Sequence, residues 1–292
     1  MVTISDAIAQ AAELLTAHRI TDARRDAETL LCHVLGRDRA WLLTHGTDRM
    51  DGDAGQMYSR VLDRRATREP LQYILGTQGF WGREFLVTPE VLIPRPETEL
   101  VVEMALRLLK GTPAPRIIDL CTGSGCIAVS LADEMPAARI LAVDRSPEAL
   151  AVARTNARMH GTADRIRFFA GDLFAPLAGT ERRTGVEVVT ANPPYLRADE
   201  LAALQPEVRD FEPEQALIAG PEGTEVAERI ILAAHEYLRP GGTLVMEMGM
   251  GQAGPLGKIV DRTGRYGIPE VLKDLAGIER VIVARRLIFA TD

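Results

Sequence analysis

Asn192-Pro193-Pro194-Tyr195 follows an apolar run, Val186 to Ala191, that reads as a buried strand. Two successive prolines cannot continue a sheet ladder, so the strand must stop there in a rigid, extended turn. Asn192 and the neighbouring Pro193 carbonyl are then held as hydrogen-bond acceptors at the carboxyl end of the strand. Tyr195 offers a flat aromatic face beside them, and Pro194 helps to shape the slot. Two acceptors and a ring suit a planar NH2 group, with its two hydrogens and its π face. Such groups occur on adenine, on cytosine and on the glutamine side chain.

Upstream, the short apolar run Ile117-Ile118-Asp119-Leu120 leads into Cys121-Thr122-Gly123-Ser124-Gly125-Cys126, and a helical pattern follows. Strand, glycine turn and helix form the context in which glycines let a ligand approach the backbone. A second apolar run, Ile140 to Val143, ends in Asp144, placed to accept both hydroxyls of a ribose. Gly123, Gly125 and Ala128 also satisfy the loose dinucleotide fingerprint, which keeps NAD in view. Two details favour S-adenosylmethionine. Asp119, just before the glycines, suits a positively charged aminoacyl group and opposes a pyrophosphate. Gly171-Asp172-Leu173-Phe174 closes a third strand with an acid for an adenine edge and apolar side chains for its face. Cofactor contacts are therefore expected from Asp119, Cys121, Thr122, Gly123, Ser124, Gly125, Asp144, Asp172, Leu173, Phe174 and Asn192. Cys121 is expected to fit the turn with a negative φ.

Taken with Pro94-Arg95-Pro96-Glu97-Thr98-Glu99, these motifs resemble the PrmC/HemK family of protein N5-glutamine methyltransferases. The likeness continues through Glu69-Pro70-Leu71-Gln72-Tyr73-Ile74-Leu75-Gly76, Glu212-Pro213, Gly241-Gly242 to Glu247 and Asp274-Leu275-Ala276-Gly277, and so spans nearly the whole chain. Cys121 departs from it, since many members carry glycine there. The resemblance implies a Rossmann-like class I methyltransferase domain with a seven-stranded doubly wound sheet ending in an antiparallel hairpin. It implies methyl transfer from S-adenosylmethionine, leaving S-adenosylhomocysteine. The acceptor would be the glutamine of the Gly-Gly-Gln motif in class I peptide-chain release factors, and the consequence would be on translation termination. It also places Arg95 as a wall residue near the cofactor, although capping or a salt bridge at the helix start is an equal expectation.

The remaining pattern supplies the elements that hold these residues. Residues 1–70 read as a small bundle of short helices, with apolar stripes such as Ile4, Ile8, Ala11 and Leu15 and stop signals such as Gly36. A substrate-recognition role is expected for it, because the chemistry-bearing motifs all lie after residue 90. Residues 71–95, punctuated by Gly76, Gly79 and Gly82, read as a β-hairpin linker. From 96 to 292 strands alternate with helices, the signature of a doubly wound α/β sheet with its ligand at the strand carboxyl ends. Arg60, Arg64, Arg65 and Arg68 share helical spacing and read as a solvated helix face.

A net charge of −7 does not suit a protein that grips a long duplex by its phosphates, so no direct nucleic-acid binding is expected. That weighs against adenine N6-methylation of DNA or RNA, the main alternative. A dehydrogenase would leave Asn192 to Tyr195 unused. No apolar run reaches spanning length, and the first residues lack a basic-then-apolar pattern, so neither a membrane nor a secretory route is expected. Three cysteines without zinc spacing point to the reducing cytoplasm and to no metal site.

Overall fold

A computed structural model describes residues 2–178 and 185–289. The chain divides into two compact units. The first runs to Thr77 and also takes in Gln205–Phe211, a segment that the sequence pattern alone groups with the second. The second comprises Gln78–Leu204 and the residues from Glu212 onward.

In the first unit, Thr3 caps the helix Ile4–Ala17 by accepting from the Asp6 N–H at 3.2 Å, and Ile4, Ala7, Ile8, Ala11 and Leu15 form its buried stripe. The helix Ala23–Leu35 buries Ala27, Leu30 and Leu31 and stops at Gly36, where φ is 61°. Asp38 caps Arg39–Thr44, and Asp51 caps Gly52–Ala66. A further short helix, Leu71–Leu75, occupies the start of the segment expected to be linker.

Only half of the arginine cluster is the solvated face expected: Arg60 and Arg64 are exposed, Arg65 is buried and Arg68 half-buried. Arg65 donates to Asp26 at 2.8 Å and to Glu207 at 3.1 Å, with its side chain only 8% exposed. Arg68 donates to the other Glu207 oxygen at 2.6 Å, and Arg64 pairs with Glu69. The reason lies in a part of the chain that helical spacing cannot reveal. The short helix Pro206–Phe211 belongs to this unit and brings a carboxylate to the arginines.

The second unit begins within a hairpin, β1 (Thr77–Phe80) and β2 (Arg83–Leu86). Its two-residue turn has φ values of 52° at Trp81 and 68° at Gly82, the left-handed pair that matches strand twist. The main sheet is built from β3 (Arg116–Leu120), β4 (Arg139–Asp144), β5 (Ile166–Ala170) and β6 (Val186–Ala191). After a small pair, β7 (Leu196–Arg197) and β8 (Ile218–Gly220), it is completed by β9 (Leu238–Glu247), β10 (Glu270–Lys273) and β11 (Glu279–Arg285).

The strand order is β10-β11-β9-β6-β3-β4-β5. β9, β6, β3, β4 and β5 are parallel, while β11 runs antiparallel to both its neighbours. This is the seven-stranded doubly wound sheet with a closing hairpin expected from the resemblance. The order reverses at β3, so the crevice opens at the carboxyl ends of β3, β4 and β6, where such sheets bind ligands. Two apolar layers cover the faces, one around Ile118, Val189 and Met246 and one around Ile117, Val188 and Val245. No helix among the described residues is long and apolar enough to cross a membrane.

Removing one partner of a buried, hydrogen-bonded ion pair leaves a charge without compensation, a loss of about 3–5 kcal/mol. Arg65→Ala is therefore expected to destabilise the first unit by roughly that amount, read by denaturant titration. Arg60→Ala, at an exposed position of the same helix, is expected to change stability by less than about 0.5 kcal/mol. Equal effects of the two would contradict the network's role.

Candidate active site

The turn after β3 passes through three left-handed residues, Cys121 (φ 55°), Gly123 (53°) and Gly125 (81°). The negative φ expected for Cys121 is not found. Its side chain carries a strain that glycine avoids, of order 1 kcal/mol. At Gly125 the reason for glycine is contact as well as conformation. A Cβ there would lie 3.1 Å from the Cβ of Ala153, on the helix Pro147–Met159. Asn156, fully buried on that helix, fastens the turn. Its Nδ2 donates to the carbonyls of Ser124 at 2.8 Å and Leu86 at 3.0 Å, and its Oδ1 accepts from the Leu86 N–H at 2.8 Å. Sequence reading missed this residue; a lone amide on an apolar helix stripe was its only signal.

The three acids at successive strand ends have different surroundings. Asp144 lines the cavity. Its Oδ2 accepts from the Gly123 N–H at 2.8 Å and its Oδ1 from the Ser146 N–H at 3.0 Å, leaving further lone pairs on both oxygens. Burial pushes its pKa up, against these backbone bonds. Asp172 also lines the cavity and pairs with Arg229 at 2.5 Å, where both side chains are more than half exposed. Asp119 is different. It is fully buried behind the turn and does not line the cavity. Its Oδ2 accepts from the Thr122 hydroxyl at 2.6 Å and its Oδ1 from the Thr190 hydroxyl at 2.8 Å. Burial pushes its pKa up to about 7, with the hydroxyl bonds pulling the other way.

Leu173 reaches the cavity through a left-handed backbone (φ 48°), whereas Phe174 turns into the core and stacks on Tyr237 at 4.4 Å between ring centres. Arg95 does not line the cavity either. It donates to Glu212 at 2.5 Å, while the second oxygen of Glu212 accepts from the Ile93 N–H at 3.2 Å. Of its two expected roles, the salt bridge at the helix start is the one the geometry displays.

At the end of β6, Asn192 and Pro194 line the cavity, while Pro193 is buried beside them. The Asn192 Nδ2 donates to the Thr98 hydroxyl oxygen at 3.1 Å, and that hydroxyl donates to Glu247 at 2.6 Å. The Asn192 Oδ1 is buried and has no hydrogen-bond partner among the described residues. Tyr195 stands off the cavity wall, and its carbonyl is held by the Gln252 Nε2 at 2.9 Å. The same amide donates to the Gly223 carbonyl at 3.0 Å. A Cβ on Gly223 would come within 2.8 Å of the Tyr195 carbonyl, so this clasp requires glycine.

Asp144, Asp172, Leu173, Asn192 and Pro194 thus share one cleft, partly open to solvent. Its walls fit S-adenosylmethionine. The glycine turn admits close backbone approach, Asp144 offers acceptors at the tip of β4, and Leu173, Val226 and Ile127 supply apolar surface. The unpartnered Asn192 oxygen marks a place for an incoming N–H. Arg145 and Arg229 also reach the cleft, and Arg229 is neutralised by Asp172.

A carboxyl whose folded pKa is raised stabilises the fold fully below its unfolded pKa, and that contribution is lost as pH rises through the folded value. For Asp119 the window runs from its ordinary value, 3.8, to about 7. The stability of the protein relative to an Asp119→Asn variant should therefore rise as pH is lowered across that window. Unfolding titrations of both proteins at several pH values check this; a flat difference would contradict it.

Comparison with known proteins agrees with this architecture. Residues 6–76 match the PrmC N-terminal domain, and residues 98–206 match the methyltransferase small domain. A release factor glutamine methyltransferase of Geobacter sulfurreducens is 44% identical, covering 91% of this chain and 90% of its own. Another, of Cereibacter sphaeroides, is 43% identical, covering 96% and 98%. Among solved structures, a methyltransferase from Pyrococcus furiosus shares the fold at 14% identity, with a TM-score of 0.52 over 77% of this chain and 99% of that one. The hMettl16 catalytic domain does so at 16% identity, with a TM-score of 0.56 over 77% and 91%. On sequence identity sustained over nearly its full length, the chain belongs to the release factor glutamine methyltransferase family.

Proposed function

We propose that this protein methylates the side-chain amide nitrogen of the glutamine in the Gly-Gly-Gln motif of class I peptide-chain release factors, in the cytoplasm, using S-adenosylmethionine. The observation that carries the reading is Asn192, a residue of the cleft lining whose buried side-chain oxygen no group among the described residues satisfies. An amide nitrogen is a weak nucleophile because its lone pair is delocalised into the carbonyl. Acceptors on its two N–H bonds would orient that nitrogen and stabilise positive charge developing on it. The Asn192 Oδ1 and the Pro193 carbonyl are assigned these two roles. Pro194 forms the wall beside them. Tyr195, tied down by Gln252 and off the cleft wall, is assigned to shaping the amide's slot from behind.

S-adenosylmethionine supplies an electrophilic methyl group on a sulfonium. Asp144 is assigned to its ribose hydroxyls, residues 121–125 to its methionine portion, and Asp172 with Leu173 to its adenine. Asp119 braces the turn from behind through Thr122 and Thr190. Phe174 and Arg95 act at one remove, through the core and through Glu212. No side chain is assigned as a general base, because the methylated amide nitrogen becomes acidic and loses its proton readily.

The first unit is assigned to recognition of the protein substrate. A glutamine side chain offers too little surface to select one residue among many, so a second contact region is required.

Asn192→Ala is expected to lower turnover by more than about tenfold, or roughly 1.4 kcal/mol of barrier, with cofactor binding nearly unchanged. Asp144→Ala is expected to do the converse first, weakening cofactor binding by about 1–3 kcal/mol. Calorimetry with S-adenosylmethionine and mass mapping of the methylated residue read the two effects, and transfer to adenine in nucleic acid instead would overturn the substrate. A chain lacking residues 1–77 is expected to keep its cofactor affinity and to lose methylation of intact release factor. Full-rate methylation by that truncated chain would make the helical unit a stabilising appendage only.

A further inference from the structure

The hydroxyl of Thr98 has one hydrogen, and it is directed to Glu247 at 2.6 Å. Toward Asn192 the same oxygen can therefore only accept. The NH2 end of the Asn192 amide must face it, as the 3.1 Å contact shows. The carbonyl end is thereby left buried and without a partner among the described residues, on a side chain of the cleft lining. Three separate pieces of chain supply this relay. Thr98 closes the Pro-Arg-Pro-Glu-Thr segment, Asn192 follows β6, and Glu247 ends β9. Ala191 and Met246 are register partners on these parallel strands, so Asn192 and Glu247 each lie one residue beyond a matched pair.

We propose that Thr98 and Glu247 are positioning residues which fix the orientation of the Asn192 amide, so that the site presents an acceptor rather than a donor to the substrate NH2. The inference rests on the reading of Asn192 as the acceptor for the amide to be methylated.

The identity of the buried group is the second line of argument. Glu247 is 2% exposed and Thr98 1%. Burying a carboxylate is unfavourable, and an amide or an apolar side chain would be easier to place there. An amide, however, can donate as well as accept, and a protonated carboxyl can too. Only the carboxylate is acceptor-only, so only it makes the relay run in one direction. If Glu247 takes a proton, it can donate to the Thr98 oxygen. The Thr98 hydrogen is then free to turn to the Asn192 oxygen, and the amide can rotate to point its NH2 at the substrate NH2.

Burial pushes the pKa of Glu247 up to about 7, with the Thr98 bond holding it lower. Arg280 on β11 and Arg95 also favour its charge, while Glu97 opposes it. Tyr195 and Cys126 face it as well, and both are kept neutral by burial. The active orientation therefore belongs to the upper side of this titration, and it is lost as pH falls through it.

Turnover numbers measured with saturating S-adenosylmethionine and release factor, across pH, test the relay. The unmodified enzyme should show an acidic limb, and Glu247→Gln should lose that limb and have lower turnover at alkaline pH. Thr98→Val should lower turnover by about tenfold at an unchanged KM, and Thr98→Ser should restore most of the loss. A second readout needs no turnover. The nitrogen-15 resonances of the Asn192 side chain should titrate with a midpoint near that of Glu247, and should not do so in Glu247→Gln. An acidic limb that persists in Glu247→Gln, or full turnover by Thr98→Val, would overturn the proposal, as would an Asn192 amide that does not titrate. If the unmodified enzyme methylated no release factor, the substrate reading would fail, and the amide titration would still decide whether the relay exists.

Discussion

The five-residue turn after β3 has few hydrogen bonds of its own, and the site depends on what its neighbours give it. Thr122 donates its N–H to the Val143 carbonyl, Gly123 to Asp144, and the Ser124 carbonyl accepts from Asn156. Each partner lies on β4 or on the helix after it. The turn is thus written into the same crossover that brings Asp144 to the cleft. A ligand that needs close backbone approach and a carboxylate for its hydroxyls meets both as one rigid assembly. This couples cofactor geometry to sheet register: shifting β4 against β3 would move both together.

On the other side of the switch point the polar groups are held by side chains. Asn192, Thr98 and Glu247 form one chain, and Tyr195, Gln252 and Gly223 form a second. The two prolines between them have no N–H to donate, so the segment cannot be held by ladder bonds. Side-chain clasps at its two ends take their place. The half of the site assigned to the cofactor is therefore held from one neighbouring crossover, through backbone and side-chain groups alike, and the half assigned to the substrate by side chains from distant segments.

Strand and helix positions were legible in the sequence because the parallel strands are short apolar runs bounded by glycine and acids. Asp144, Asp172 and Asn192 were legible for the same reason, since each ends such a run. Asp119 was read as a cofactor contact from its place in the chain. In the structure its carboxylate turns to two threonine hydroxyls, and alternation along a strand does not say which hydroxyls will be near. Phe174 was read as a cleft residue, but the left-handed backbone at Leu173 redirects the chain and sends the ring inward. Gln252 and Asn156 were not singled out, and Thr98 and Glu247 were named only as members of motifs, with no role. Each acts across a long sequence separation, and nothing local marks a threonine or glutamine whose partner is far away. Arg65 and Arg68 were misread on the same ground, because a carboxylate they share is supplied from residue 207.

That last separation bears on how the chain is made. A polypeptide leaves the ribosome from its amino end, and small domains fold as soon as their residues have emerged. Here the first four helices emerge with Arg65 and Asp26 already present, but Glu207 follows only after well over a hundred further residues. Until then Arg65 has one of its two carboxylates, and Arg68 lacks the one it holds in the finished protein. The helical unit thus completes its ion-pair network late in synthesis. Its last ion pairs close only once most of the catalytic sheet has been translated.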